Sequence, residues 1–166
     1  MLSKFNCLLI LCTVLIVSCK MDHKKFTSQN GWFSMTIPAD WEEFDDDDGT
    51  YTFFNSKVWT GNFRVTPFRW TKADDQYQDK ASKYITSELT ANKEASKIIL
   101  GNYNCIHYKK SLTENNEEIV VYYWMTGEKN KLVLCSFAID KKQEDTSQNE
   151  SELQKVQNII KSITLH

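Results

Sequence analysis

The chain has 166 residues with 20 basic and 22 acidic side chains, giving a formal charge of −2, and 41% of its residues are hydrophobic. That length holds one domain with a sizeable core, and so balanced a charge argues against a nucleic-acid binder. Five Gly and two Pro exclude collagen-like and linker-rich chains, while 13% aromatic residues promise a dense interior.

The first element is an address. Lys4 supplies a positive start, and Phe5 to Val17 is an almost unbroken apolar run. Thirteen residues make about 20 Å of helix, too short for a hydrocarbon core about 30 Å thick. The run fits the apolar region of a secretory signal. It closes on Ile16-Val17-Ser18-Cys19, after which Lys20-Met21-Asp22-His23 is abruptly polar. This junction resembles the lipobox of bacterial lipoproteins. The resemblance implies cleavage before Cys19, a diacylglyceryl thioether on its sulfur, and acylation of the new amino terminus with a fatty acid such as palmitate. Cys19 is then the lipidation site and the attachment to membrane. Lys20 at the second mature position favours the outer membrane over inner-membrane retention, on its periplasmic face or surface. The expected organisation is a signal over 1–18, a tether over 19–29, and a single α+β domain over 30–166.

Phe33, Met35 and Ile37 alternate onto one strand face until Pro38. Trp41 reads as part of a turn. Asp45 to Gly49 reads as a hairpin connection into a second strand over 50–54, and 62–70 as a third. The period then changes: Tyr77, Ala81, Tyr84, Ile85 and Leu89 predict a helix over 74–93, with Asp74 and Asp75 at its start. The stretch 97–112 is rich in Ile and Tyr, with a break at Gly101-Asn102. Strands over 119–126 and 131–140 follow, the latter with Val133, Cys135, Phe137 and Ile139 on one face. Ser147 and Glu150 suit a capping box, and Leu153, Val156, Ile159, Ile160 and Ile163 stripe a helix over 150–165. The order βββαβββα predicts an α+β fold, an antiparallel sheet of about six strands flanked by two helices.

Five cysteines reduce to two in the folded part, since Cys7 and Cys12 lie in the signal and Cys19 takes the lipid. If a strand separates Cys105 from Cys135, their backbones stand about 9.6 Å apart, beyond the roughly 6.8 Å a disulfide spans. The sequence leaves both states open, free or bridged.

The order of elements, with the turn Ile37-Pro38-Ala39-Asp40-Trp41, resembles the PsbP-like fold, which includes the photosystem subunit PsbP, the bacterial lipoprotein DcrB and the Ran-binding Mog protein. That resemblance implies a non-enzymatic binding or assembly role, and it carries no site residue across.

The search for chemistry yields little. His23 lies in the tether and His166 ends the chain, while Cys105 and His107 share a strand face. Two ligands are too few for a closed zinc site, so no metal is expected, and a Cys105–His107 nucleophile pair lacks a third orienting group. No Gly-x-Ser-x-Gly elbow and no glycine-rich phosphate loop occurs, so no cofactor is expected. Asp45 to Asp48 does not fit an EF-hand, because Phe44 and Asn55 would occupy ligand positions; four solvated carboxylates in a turn is the preferred reading. Trp59, Arg64, Phe68, Arg69 and Trp70 are the candidate binding surface, set against the preferred reading as core packing or a lid over one helix. The expected function is a non-catalytic binding or accessory lipoprotein of the cell envelope, with a protein partner there. The alternatives are an adaptor or immunity-type protein that masks a secreted effector, and an enzyme using Cys105 and His107.

Overall fold

The computed structural model describes residues 22–46, 48–72 and 78–166. Ten strands and two helices follow one another: β1 His23–Thr27, β2 Phe33–Pro38, β3 Trp41–Asp45, β4 Tyr51–Asn55, β5 Gly61–Arg69, α1 Lys80–Ala91, β6 Ser96–Leu100, β7 Tyr103–Glu114, β8 Glu117–Glu128, β9 Lys131–Asp140, α2 Ser147–Lys161 and β10 Thr164–Leu165. They form a seven-stranded sheet ordered β3-β4-β5-β9-β8-β7-β6 and a three-stranded sheet ordered β1-β2-β10. Every pairing is antiparallel. The α+β class stands, while the count of about six strands is corrected to ten in two sheets among the described residues.

The additional strands come from segments whose patterns are weak. The expected tether over 19–29 is, from residue 22 on, part of the fold: β1 pairs along β2 from His23↔Pro38 to Thr27↔Ser34. Only Phe26 of β1 is buried, so its sequence shows no alternation. Trp41 opens β3 rather than sitting in a turn. Gly101, with φ +64° and an added Cβ only 2.3 Å from the Lys161 carbonyl oxygen, turns the chain between β6 and β7. Asn115 and Asn116, both at positive φ, make the β7–β8 hairpin turn.

The helices also begin and end elsewhere than periodicity suggests. Asp79 caps α1 by accepting the Ser82 N–H at 2.9 Å; the Asp74, Asp75 and Tyr77 of the expected start lie outside the described residues. Thr146, not Ser147, caps α2, its hydroxyl accepting the Asn149 N–H at 3.2 Å. The chain leaves α2 at Ser162, and Leu165 pairs with Phe33 as strand β10.

Two cores result. The larger lies between the two sheets and α2. There Phe26 meets Phe53 at 5.0 Å and Tyr51 at 5.2 Å between ring centroids, while Phe33 meets Tyr51 at 5.7 Å. These edge-on contacts pin one sheet to the other. The smaller core lies under α1 on the opposite face of the large sheet, built on Ala81, Ile106, Tyr108, Met125 and Leu132.

Candidate binding surface

Strand β5 organises the candidate residues by its period of two. Phe63 and Val65 point into the larger core. Arg64, Thr66 and Phe68 therefore face the α1 side. Trp70 is half-buried against the α1 cluster, and it is tied to the β8–β9 hairpin: its N–H donates to the Asn130 carbonyl at 3.0 Å, and its own carbonyl accepts from Asn130 Nδ2 at 2.8 Å. Arg69 turns to the other face, where its guanidinium lies 6.0 Å from the Trp32 ring centroid. Trp59 stands before the start of β5, about 30 Å from Arg69 along the strand. The five residues therefore do not form one surface. Arg64 and Phe68 share a face, Trp70 covers a helix, Arg69 belongs to the inter-sheet side, and Trp59 marks the opposite end.

A different neighbourhood surrounds Arg64. Register places Phe44 opposite Thr52, Thr52 opposite Arg64, and Arg64 opposite Ser136. This row continues through Tyr123 to Tyr108, under α1. Helix α1 packs across β7, β8 and β9, so the β3–β5 end of the same face lies beyond it. Phe44 and Phe68 are 58% and 43% exposed there. Between them Asp46 holds a polar cluster: Thr52 Oγ1 donates to Asp46 Oδ2 at 2.7 Å, and the Arg64 guanidinium pairs with the same oxygen. Thr50 and Thr66 hydroxyls join at 2.9 Å beside it.

The same contacts describe the acidic run. Asp48 Oδ1 accepts the Thr50 N–H at 2.9 Å, and hydrogen bonding from Thr50 holds the Asp48 carboxyl below the ordinary carboxylate range. Asp46 and Asp48 are thus each engaged by protein donors; Asp47 lies outside the described residues. Among the described residues no group of three metal-type ligands converges.

Cys105 and Cys135 are both free and buried. Strand β8 separates their strands, as Cys105↔Thr126 and Trp124↔Cys135 show. Burial pushes the Cys105 thiol up to about 12 and raises Cys135 well above the ordinary thiol value. The Cys105 thiol donates to the Ile106 carbonyl at 3.3 Å. The thiolate a nucleophile needs is therefore scarce at neutral pH. His107 stands on Trp124 at 5.0 Å and stacks on Tyr122 at 6.5 Å between ring centroids, and burial lowers its pKa. His166 Nε2 is hydrogen-bonded to Ser34 Oγ at 2.9 Å. His23 lines a groove of about 290 Å³ between β2 and α2, with Thr36, Lys155 and Asn158.

Sequence reasoning missed Phe44, Asp46 and Val58, and it missed the buried Glu152, which accepts from Asn55 Nδ2 at 3.0 Å and from Lys155 Nζ at 2.7 Å. The motif Asn55 to Val58 was the available signal, because an Asn that turns its own chain is readable locally. Glu152 had none, since its burial depends on Asn55, at the end of β4, meeting α2 from far along the chain.

The family model for DUF3805, a domain of unknown function, matches residues 21–165. A crystal structure from Bacteroides thetaiotaomicron is similar at 33% identity and a TM-score of 0.70, over 88% of this chain; the chain spans about half of that one, 49%. LpqN of Mycobacterium tuberculosis, described as involved in cell envelope biogenesis, shares the fold at 9% identity and a TM-score of 0.55, over 87% of this chain and 90% of its own. Cyanobacterial PsbP from Synechocystis is more distant, at 9% identity and a TM-score of 0.44, over 88% and 94%. No curated protein matches. Among the described residues no helix is long and apolar enough to cross a membrane.

Proposed function

Because the chain belongs to the DUF3805 family, whose description assigns no activity, we propose a role from its own residues: a lipoprotein held at the cell envelope by Cys19, whose folded part is a non-catalytic module that binds a protein partner. The observation that carries the binding reading is the β3–β5 end of the large sheet, where Phe44 and Phe68 are exposed around the fixed Asp46–Arg64–Thr52 cluster. Aromatic side chains beside an arginine are the composition of binding hot spots, and an arginine already oriented by a carboxylate loses little freedom on binding. The buried, protonated Cys105 supports a role outside nucleophilic catalysis. The signal-like start and the polar switch after Cys19 support the anchor. The envelope setting is that described for LpqN, whose fold this domain shares.

The test places a photo-crosslinking side chain at Phe44, at Phe68, and at the exposed Ile99 on β6 as a control, in the lipidated protein within its own cells. The expected result is one discrete adduct from Phe44 and Phe68, absent from Ile99 and lost in Arg64→Glu. Equal labelling at all three sites, or adducts indifferent to Arg64→Glu, would reject this face as the binding site.

A further inference from the structure

We propose that the loop of residues 56–60, led by Val58 and Trp59, seats in the bilayer that carries the Cys19 lipid, so that the domain stands on the membrane by its β4–β5 end instead of floating on a tether. This inference rests on the anchor reading above. Strand β1 begins at His23, which leaves three residue steps, about 11 Å at full extension, between Cys19 and Asp22. A domain so closely moored must present one end to the lipid.

That end is defined by contacts. Asp22 lines a shallow pocket of about 360 Å³ with Ala39, Asp40 and Lys57, and its carbonyl accepts the Ala39 N–H at 2.8 Å. The loop that follows Lys57 therefore lies beside the point where the chain enters the fold. Val58 and Trp59 are 48% and 59% exposed on it. Asn55 Oδ1 accepts the N–H groups of Lys57 at 3.1 Å and Val58 at 3.3 Å, which fixes the turn that carries these two exposed side chains. Trp59 Nε1 donates to Asn62 Oδ1 at 3.0 Å, which satisfies the one polar group of the indole. Its ring can then leave water without stranding a donor. Tryptophan is enriched at the membrane–water interface for its amphipathic ring. The charges nearby are mixed and partly paired: Lys57 sits 3.6 Å from Asp40 beside Asp22, and Lys24 Nζ donates to the Trp41 carbonyl at 2.6 Å. The acyl chains expected at Cys19 suffice for stable attachment, so the loop contact orients the domain instead of holding it there.

The experiment uses mature lipidated protein in vesicles of phosphatidylethanolamine and phosphatidylglycerol with brominated acyl chains. A fluorophore is attached at Trp59→Cys, at Val58→Cys, or at Glu128→Cys. Glu128 pairs with Lys131, about 27 Å along β9 from Ile139, the partner of Gly61. Native Cys105 and Cys135 are buried, and the unsubstituted protein, treated with the same reagent, is the control for their labelling. Quenching at positions 58 and 59 with none at 128 is expected. If the protein sediments with vesicles but positions 58 and 59 are quenched no more than 128, the seating is wrong and the anchor stands. If the purified mature protein carries no lipid and does not sediment, the anchor and the seating fall together.

Discussion

At the residue scale, burial decides what each side chain can do. Cys105 and Cys135 looked like a candidate disulfide or half of a nucleophile pair. The spacing argument from an intervening strand was legible, because both cysteines sit on strongly patterned strands. What the sequence did not disclose was how far burial raises both thiols. In the native protein neither should react with a thiol reagent at neutral pH, and both should react in denaturant. Fast native labelling of Cys105 would contradict its placement. Phe63 is fully buried between Phe53 and Trp41, with ring centroids at 6.3 and 6.5 Å. Phe63→Ala should cost about 3–5 kcal/mol in chemical denaturation, through lost transfer and a residual cavity. A loss under about 1 kcal/mol would show that the two sheets do not close over it. Its neighbour on the opposite face, Arg64, should tolerate substitution far better, since its side chain is half-exposed.

At the element scale, the strands dense in buried apolar residues were readable: β5 and β9 by alternation, β2, β4 and β8 by nearly continuous burial. The strands that escaped are those at edges or with one buried residue. β1 buries Phe26 alone, and β3 has exposed Glu42, Glu43 and Phe44 beyond Trp41. The helix starts were misplaced because a cap is chosen by geometry rather than by the nearest acidic pair. Asp79→Ala should destabilise the domain by about 1 kcal/mol, while Asp79→Asn, which keeps an acceptor, should cost less. Hydrogen bonds from Ser82 hold Asp79 below the ordinary carboxylate range, and Lys109 with Lys141 does the same for Glu144. For both carboxyls the folded state binds the proton more weakly than the unfolded chain. Their stabilisation is therefore present above the unfolded carboxylate range and lost as pH falls through it towards the lowered folded values. Glu144 raises Lys109 in turn; that contribution is present below the unfolded lysine range and fades as pH rises through it. A stability profile from thermal melts should fall on the acid side, and Glu144→Gln should flatten both shoulders. A profile unchanged by Glu144→Gln would contradict the pair.

At the scale of the whole molecule, the fold class was legible from the order of patterned segments, but the division into two sheets was not. That division depends on weakly patterned β1 folding back on β2 as a local hairpin and on β10 reaching β2 from the far end of the sequence. The candidate surface was legible in part for the same reason. Strand alternation put Arg64 and Phe68 together, yet only the topology could add Phe44 from β3 and send Trp59 to the end where the chain enters. Trp59 thus changes from a supposed partner of Trp70 into one of two exposed apolar side chains, with Val58, on a separate loop. On the proposed anchor, a mooring of a few residues would also set the mechanics of the domain, because the proposed binding face and the proposed membrane-facing end belong to one sheet. The premise under all of this is the chemistry at Cys19. The intact mass of the mature protein from native membranes tests it directly. A chain beginning at Cys19 and heavier by a diacylglyceryl group and an amide-linked acyl chain is the expected result; an unmodified sulfur, or an amino terminus elsewhere, would contradict it.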